Sequence, residues 1–152
     1  MESTKFLQNK WACNSEYLEH ERKRVKTNVF KKQKHAFGFE NSEKLASWWL
    51  EQMKIQNDSC MYCKTPIRLV EALIKAKHLL GRRTRGLGIR GPYLELERMD
   101  NSINRYSPQN CVLICYYCNN DKSHVYPVQE YIDFLAAAKY KHFLYLADKM
   151  SK

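Results

Sequence analysis

No stretch of this sequence is long and apolar enough to cross a bilayer. A spanning helix needs about 20 consecutive apolar residues, and the longest apolar stretch, near the C-terminus, is interrupted by Lys139, Lys141 and His142. An apolar signal-peptide core is missing as well. The first residues include Glu2 and Lys5, so the expected location is cytoplasmic. No internal repeat and no low-complexity tract is present. Acidic residues are scarce: 16 Asp and Glu face 26 Lys and Arg, for a formal charge of +10 and a pI near 9.3. Such a surplus points to a polyanionic partner, because lysines and arginines that neutralise phosphates release condensed counterions and so favour association.

What is present suits one compact folded domain. At 152 residues with 44% hydrophobic and 12% aromatic content, the chain can bury a core, and global disorder is excluded. Six cysteines in a reducing compartment indicate metal or free thiols rather than disulfides.

The chain is read as a single domain over 1–152, in three parts: a basic helical part (1–58), a core (59–126) and a C-terminal helix (127–152). Residues 15–35 are very basic and read as a helix, with Asn14 or Ser15 as the expected cap. Tyr17, Leu18, Val25 and Val29 make a sparse apolar stripe, and Arg22, Lys23, Arg24, Lys26, Lys31 and Lys32 lie on the polar face. A second helix follows the Asn41-Ser42 cap, with Leu45, Trp48, Trp49 and Met53 at core spacing. Residues 67–80 read as a third, amphipathic helix. The segment GRRTRGLGIRGP, with four glycines and four arginines, reads as a mobile loop able to reach nucleic acid. Tyr93–Glu97 alternates like a strand, and Cys111–Ile114 is a second strand. A short helix then runs through Asn119 and Lys122. Pro127 opens the last helix, whose inner side carries Val128, Tyr131, Ile132, Leu135 and Leu146.

Two C-x-x-C pairs, Cys60/Cys63 and Cys115/Cys118, supply the four soft ligands of a tetrahedral structural zinc site, since each tight turn brings two thiolates to one ion. Redox C-x-x-C chemistry is the competing reading, and no βαβ setting supports it. Cys111 reads as a small buried core residue, and Cys13 has no evident partner.

Between the cysteine pairs lies a more specific pattern. The segment Leu94–Ser123, LELERMDNSINRYSPQNCVLICYYCNNDKS, resembles the ββα-metal core of HNH endonucleases. There a strand ends in Asp-Arg or Asp-His, and a turn leads to Tyr-Ser/Thr-Pro-x-Asn. A second strand then enters Cys-x-x-Cys-Asn-x-x-Lys. Glu97-Arg98, Tyr106-Ser107-Pro108-Gln109-Asn110 and Cys115-x-x-Cys118-Asn119-x-x-Lys122 follow this order. The resemblance is closest to small zinc-containing HNH restriction enzymes of the PacI type, and extends upstream to Lys34-His35-Ala36 and Cys60-x-Tyr62-Cys63.

This resemblance implies an α+β, treble-clef-like ββα-metal fold flanked by helices, acting on double-stranded DNA in a prokaryotic or phage-like setting. It implies a catalytic Mg²⁺ or Mn²⁺ held by Glu97 and Asn119, since hard cations take oxygen ligands, with the phosphate over the helix N-terminus. Asn110 is implied to orient the turn. Glu97 stands where Asp is usual. Arg98 stands where many members carry the general-base His; with a pKa above about 12 it cannot accept a proton, so its implied role is to hold the phosphate or stabilise the transition state. The base then comes from His35, or failing that Tyr62 or His124, while His20 and His78 read as surface residues. Arg82, Arg83, Arg85, Arg90 and Lys122 are the candidate DNA contacts. A homodimer is expected for cutting both strands of a two-fold site. The open alternatives are a nicking, homing or phage HNH nuclease, and a zinc nucleic-acid-binding module without activity.

Overall fold

The computed structural model describes residues 14–30, 38–84 and 88–150, so His35, Lys31, Lys32, Arg85 and Cys13 lie outside the described residues. These residues fall into two compact units, each assembled from discontinuous segments. One takes residues 59–95 and 114–150, the other 14–58 and 96–113.

In the second of these, Asn14 accepts from the backbone N–H groups of Glu16 and Tyr17 at 3.0 and 3.1 Å. It thereby satisfies donors that the first turn leaves unpaired, and starts α1 (Ser15–Arg24), which runs on through a π-helical turn (Val25–Val29). Asn41 caps α2 (Ser42–Ile55) in the same way, accepting from Lys44 at 2.9 Å. Leu45, Trp49 and Met53 are fully buried, while Trp48 packs on Phe39 with ring centroids 5.2 Å apart. Glu21 is buried on α1, and its charge is met by two of the Arg24 guanidinium nitrogens, each at 2.8 Å. The same guanidinium lies 5.3 Å over the Trp49 ring, so the buried carboxylate is paired rather than stranded. α2 ends where Asn57 enters the left-handed region at φ 56°. There Asn57 and Asp58 donate back to Lys54 and Met53 at 3.1 and 2.7 Å, a Schellman closure.

In the other unit, α3 (Ile67–Lys75) buries Ile67, Leu69, Val70 and Leu73. The helix expected over 67–80 stops at Lys75 through the same device. Lys77 turns left-handed at φ 62°, and Lys77 and His78 donate to Ile74 and Leu73 at 3.0 and 2.9 Å. The segment read as a mobile loop is instead partly ordered by pairing. β1 (Arg82–Thr84) and β2 (Gly88–Arg90) form an antiparallel ribbon with Arg82 opposite Arg90 and Arg83 opposite Ile89. Glycine is needed at its base: a Cβ on Gly81 would stand 2.9 Å from the Arg90 carbonyl, and Gly91 sits at φ 131°.

β3 (Leu94–Arg98) and β4 (Cys111–Cys115) make a second two-stranded sheet, and α4 (Tyr116–Lys122) follows β4 without a break. Every residue of β4 is buried, which its apolar run Cys-Val-Leu-Ile-Cys accommodates. Gln56 serves as a substitute peptide beside it. Its amide donates to the Leu113 carbonyl at 2.7 Å and accepts from the Leu113 N–H at 3.1 Å.

The last helix begins as α5 (Val128–Glu130), passes through a π-helical stretch (Tyr131–Ala136) and continues as α6 (Ala137–Met150). The wider i→i+5 winding changes which residues face inward. Tyr131 and Ala136, five apart, are fully buried, whereas Leu135, expected inside, is exposed; Phe143, Leu146 and Ala147 continue the inner face.

Candidate metal centre and surrounding residues

The four cysteines converge. Cys60 and Cys63 occupy a tight turn ahead of α3 in which Lys64 donates to the Cys60 carbonyl and Cys60 to the Thr65 carbonyl, each at 2.9 Å. Lys64 takes φ 61° to close it. Cys115 ends β4 and Cys118 lies one turn into α4. All four are buried, with their sulfurs within 4.8 Å of one another and Cys63 3.9 Å from Cys115. A tetrahedral zinc with Zn–S of about 2.3 Å requires S–S separations of roughly 3.8 Å, so the cluster is close enough to hold a metal ion and its donor set suits structural zinc.

The electrostatics of the bare thiols agree with that fit. Hydrogen bonds from Cys115, Cys118 and Cys60, joined by Thr65, hold Cys63 far below the usual thiol range. Cys115 is pushed well above it by its contacts with Cys118, Cys60 and Cys63 and by burial. Several thiolates cannot ionise together in so buried a place without a cation to balance them. Hydroxyls surround the cluster: Thr65 Oγ1, fully buried, lies 3.1 Å from the Cys63 sulfur. Tyr131, whose hydroxyl donates to Asp121 at 3.2 Å, also reaches Cys118. The Tyr62 ring, buried between the first two ligands, meets Tyr131 edge-on with centroids 5.8 Å apart.

The expected catalytic residues are distributed as follows. Glu97, on β3, is buried and belongs to the 14–58/96–113 unit, whereas Asn119 belongs to the other. Asn119 is the fourth residue of α4 rather than its first. Its Nδ2 donates to Glu95 Oε2 at 2.7 Å. Glu95 also receives Arg90, whose Nε lies 2.8 Å from Oε1 and whose second nitrogen reaches Oε2. The Arg90 guanidinium in turn lies 4.8 Å over the Tyr116 ring. Glu95 is the residue that sequence reasoning missed. The available signal was the strand period of two, which puts Glu95 and Glu97 on the same face of β3.

Arg98 lies 4.8 Å over the Tyr106 ring and donates to the Asn104 side chain. Asn110, buried, holds the loop between the strands: its oxygen accepts from Asp100 N–H at 2.9 Å, and its nitrogen donates to the carbonyls of Asp100, Arg105 and Ile103 at 3.0, 3.3 and 3.4 Å. Lys122 is not at the surface where a phosphate contact would need it; it is fully buried, donating to the Ser123 carbonyl at 3.2 Å. Ser123 breaks α4 at φ 46°, so His124 is off the helix altogether, exposed, with its Nδ1 3.1 Å from Ser123 Oγ. His20 and His78 are exposed. Arg82 is exposed on β1, and Arg83 follows it on the same strand.

The fold and the cluster define a class: a mixed α/β protein with, among the described residues, two small two-stranded sheets and a buried four-cysteine site able to bind a metal. Compared with known protein families, characterised proteins and solved structures, the chain matches none. No helix among the described residues is long and apolar enough to cross a membrane.

Proposed function

We propose that this chain is a metal-dependent HNH endonuclease that hydrolyses phosphodiester bonds of double-stranded DNA, stapled by a structural zinc at Cys60, Cys63, Cys115 and Cys118. The reading is carried by the buried four-thiol cluster. Two C-x-x-C turns far apart in sequence converge, and the second leads into a helix carrying Cys118-Asn119-x-x-Lys122, the residue order in which the chain resembles the ββα-metal motif. The excess of basic residues supports a polyanionic substrate.

The motif assigns Glu97 and Asn119 as protein ligands of a catalytic Mg²⁺ or Mn²⁺. When bound, that cation polarises the scissile phosphate and stabilises the leaving 3′ oxygen, giving 5′-phosphate and 3′-hydroxyl ends. Asn119 offers a neutral oxygen, as a hard cation accepts. Arg98 holds phosphate charge rather than a proton, since a guanidinium stays protonated at neutral pH. His35 is assigned the base, with Tyr62 and His124 behind it. Arg82, Arg83, Arg85 and Arg90 contact the DNA, and a two-fold dimer cuts both strands as a restriction-like enzyme.

The test is incubation of zinc-loaded protein with plasmid and Mg²⁺ or Mn²⁺. Wild type is expected to cut, Asn119→Ala to lose activity while retaining zinc and DNA affinity, and His35→Ala to do the same. If wild type retards the plasmid on a gel and leaves it intact, the enzyme reading fails and a zinc nucleic-acid-binding module replaces it. Nicked product from a monomer would replace the restriction-like dimer with a nicking enzyme.

A further inference from the structure

We propose that Glu95 is a positioning residue that turns the Asn119 carboxamide so that its oxygen, and not its nitrogen, is presented to a divalent cation. The inference rests on the nuclease reading above and adds to it a residue that the motif does not contain.

The two ends of a carboxamide are nearly equal in size and opposite in chemistry. Only the oxygen can ligate a hard cation, and an unrestrained asparagine samples both orientations. An ionised carboxylate accepts hydrogen bonds and cannot donate them. The 2.7 Å contact between Glu95 Oε2 and the Asn119 side chain therefore permits one orientation, with Nδ2 toward Glu95. Oδ1 then points away from the carboxylate, and among the described residues no hydrogen bond to it is found.

Glu95 is itself held. Arg90 grips both of its oxygens, one at 2.8 Å, and the guanidinium is in turn seated on the Tyr116 ring, one α4 turn before Asn119. The Glu95 side chain is only 17% exposed, so water competes weakly for the carboxylate. Arg90, Glu95 and Asn119 thus form a relay of orientation, from the ribbon through β3 to α4. Groups that orient a ligand in this way typically change metal affinity by about 10–100-fold.

A double-mutant cycle on zinc-loaded protein tests this, with Mn²⁺ affinity measured by calorimetry. Glu95→Ala is expected to weaken Mn²⁺ binding by about 10–100-fold without changing zinc content. In an Asn119→Asp background the same substitution should cost nothing, because either carboxylate oxygen of Asp can ligate whichever way the side chain turns. An equal loss in both backgrounds, which a ligand or a general structural support would give, overturns the proposal. So does wild-type affinity in Glu95→Ala. If the alanine variant loses zinc, Glu95→Leu, which fills more of the space and offers no acceptor, replaces it and must give the same pattern. Wild type that holds zinc but takes up no Mn²⁺ brings down the nuclease reading and this inference with it, whereas additive losses in a protein that does bind Mn²⁺ remove this inference alone.

Discussion

Gln56 offers a severe test of how β4 is held. Its carboxamide makes two hydrogen bonds with one residue, Leu113, at 2.7 and 3.1 Å, and Leu113 is fully buried. Gln56→Ala removes both partners and leaves a buried N–H and a buried C=O unpaired. Each orphaned group costs about 1–3 kcal/mol, so the expected loss for the two is about 2–6 kcal/mol, toward the lower end if water enters the space. That is a large fraction of the 5–15 kcal/mol by which a typical domain is stable. Gln56→Glu separates the two bonds. Its carboxylate still accepts from the Leu113 N–H but opposes the Leu113 carbonyl, so folding should raise its pKa above the ordinary value of about 4.3. With the folded value raised, the stabilising protonated form is fully present below the unfolded pKa and is lost as pH rises through the folded one. Urea unfolding followed by tryptophan fluorescence should therefore show Gln56→Glu approaching wild type at acidic pH and falling to the Gln56→Ala level at neutral pH. A loss below about 0.5 kcal/mol in Gln56→Ala, or a pH-independent deficit in Gln56→Glu, would refute the argument.

Two further outcomes are expected. Thr65→Val keeps the shape of the side chain and removes the hydroxyl 3.1 Å from the Cys63 sulfur. Zinc affinity in competition with a chromogenic chelator should then fall by about 10–100-fold, from a wild-type content of one ion per chain, and an unchanged affinity would exclude a supporting role for the hydroxyl. Burial pushes the Cys111 thiol up to about 12, against a smaller lowering from a Ser107 backbone hydrogen bond. Its folded value lies above its unfolded one, so this contribution to stability is complete below the ordinary thiol range and is lost as pH climbs toward about 12. The unfolding midpoint should decline more steeply between pH 9 and 11 in the native chain than in Cys111→Ala; equal slopes would show that the thiol is not linked to folding.

Much of the site was legible because it depends on neighbours within a turn or two. The Cys60–Cys63 turn is short-range geometry, and so is the start of α4 at Cys115–Cys118, so spacing alone could identify both ligand pairs. The caps at Asn14 and Asn41 are equally local. The helix expected over 67–80, by contrast, stops early because Lys77, a residue with no strong preference for the left-handed region, takes the place glycine usually fills.

The sequence by itself determined the four thiols in their two tight turns, the excess of basic residues, the apolar run of β4 and the place of Asn119 directly after the last cysteine. Only the tertiary structure decided what those residues face. It paired the arginine-rich segment into a ribbon, buried Lys122, rotated Leu135 outward through a π-helical stretch and set Glu95 against Asn119. The physical reason is the range of the forces. Turn, cap and helix preferences act over a few bonds and are written in consecutive residues. A hydrogen bond between residues 95 and 119 exists only after β3 and α4 have been packed side by side, and nothing in either segment alone specifies that the carboxylate two residues before Glu97 will be the one to meet the amide.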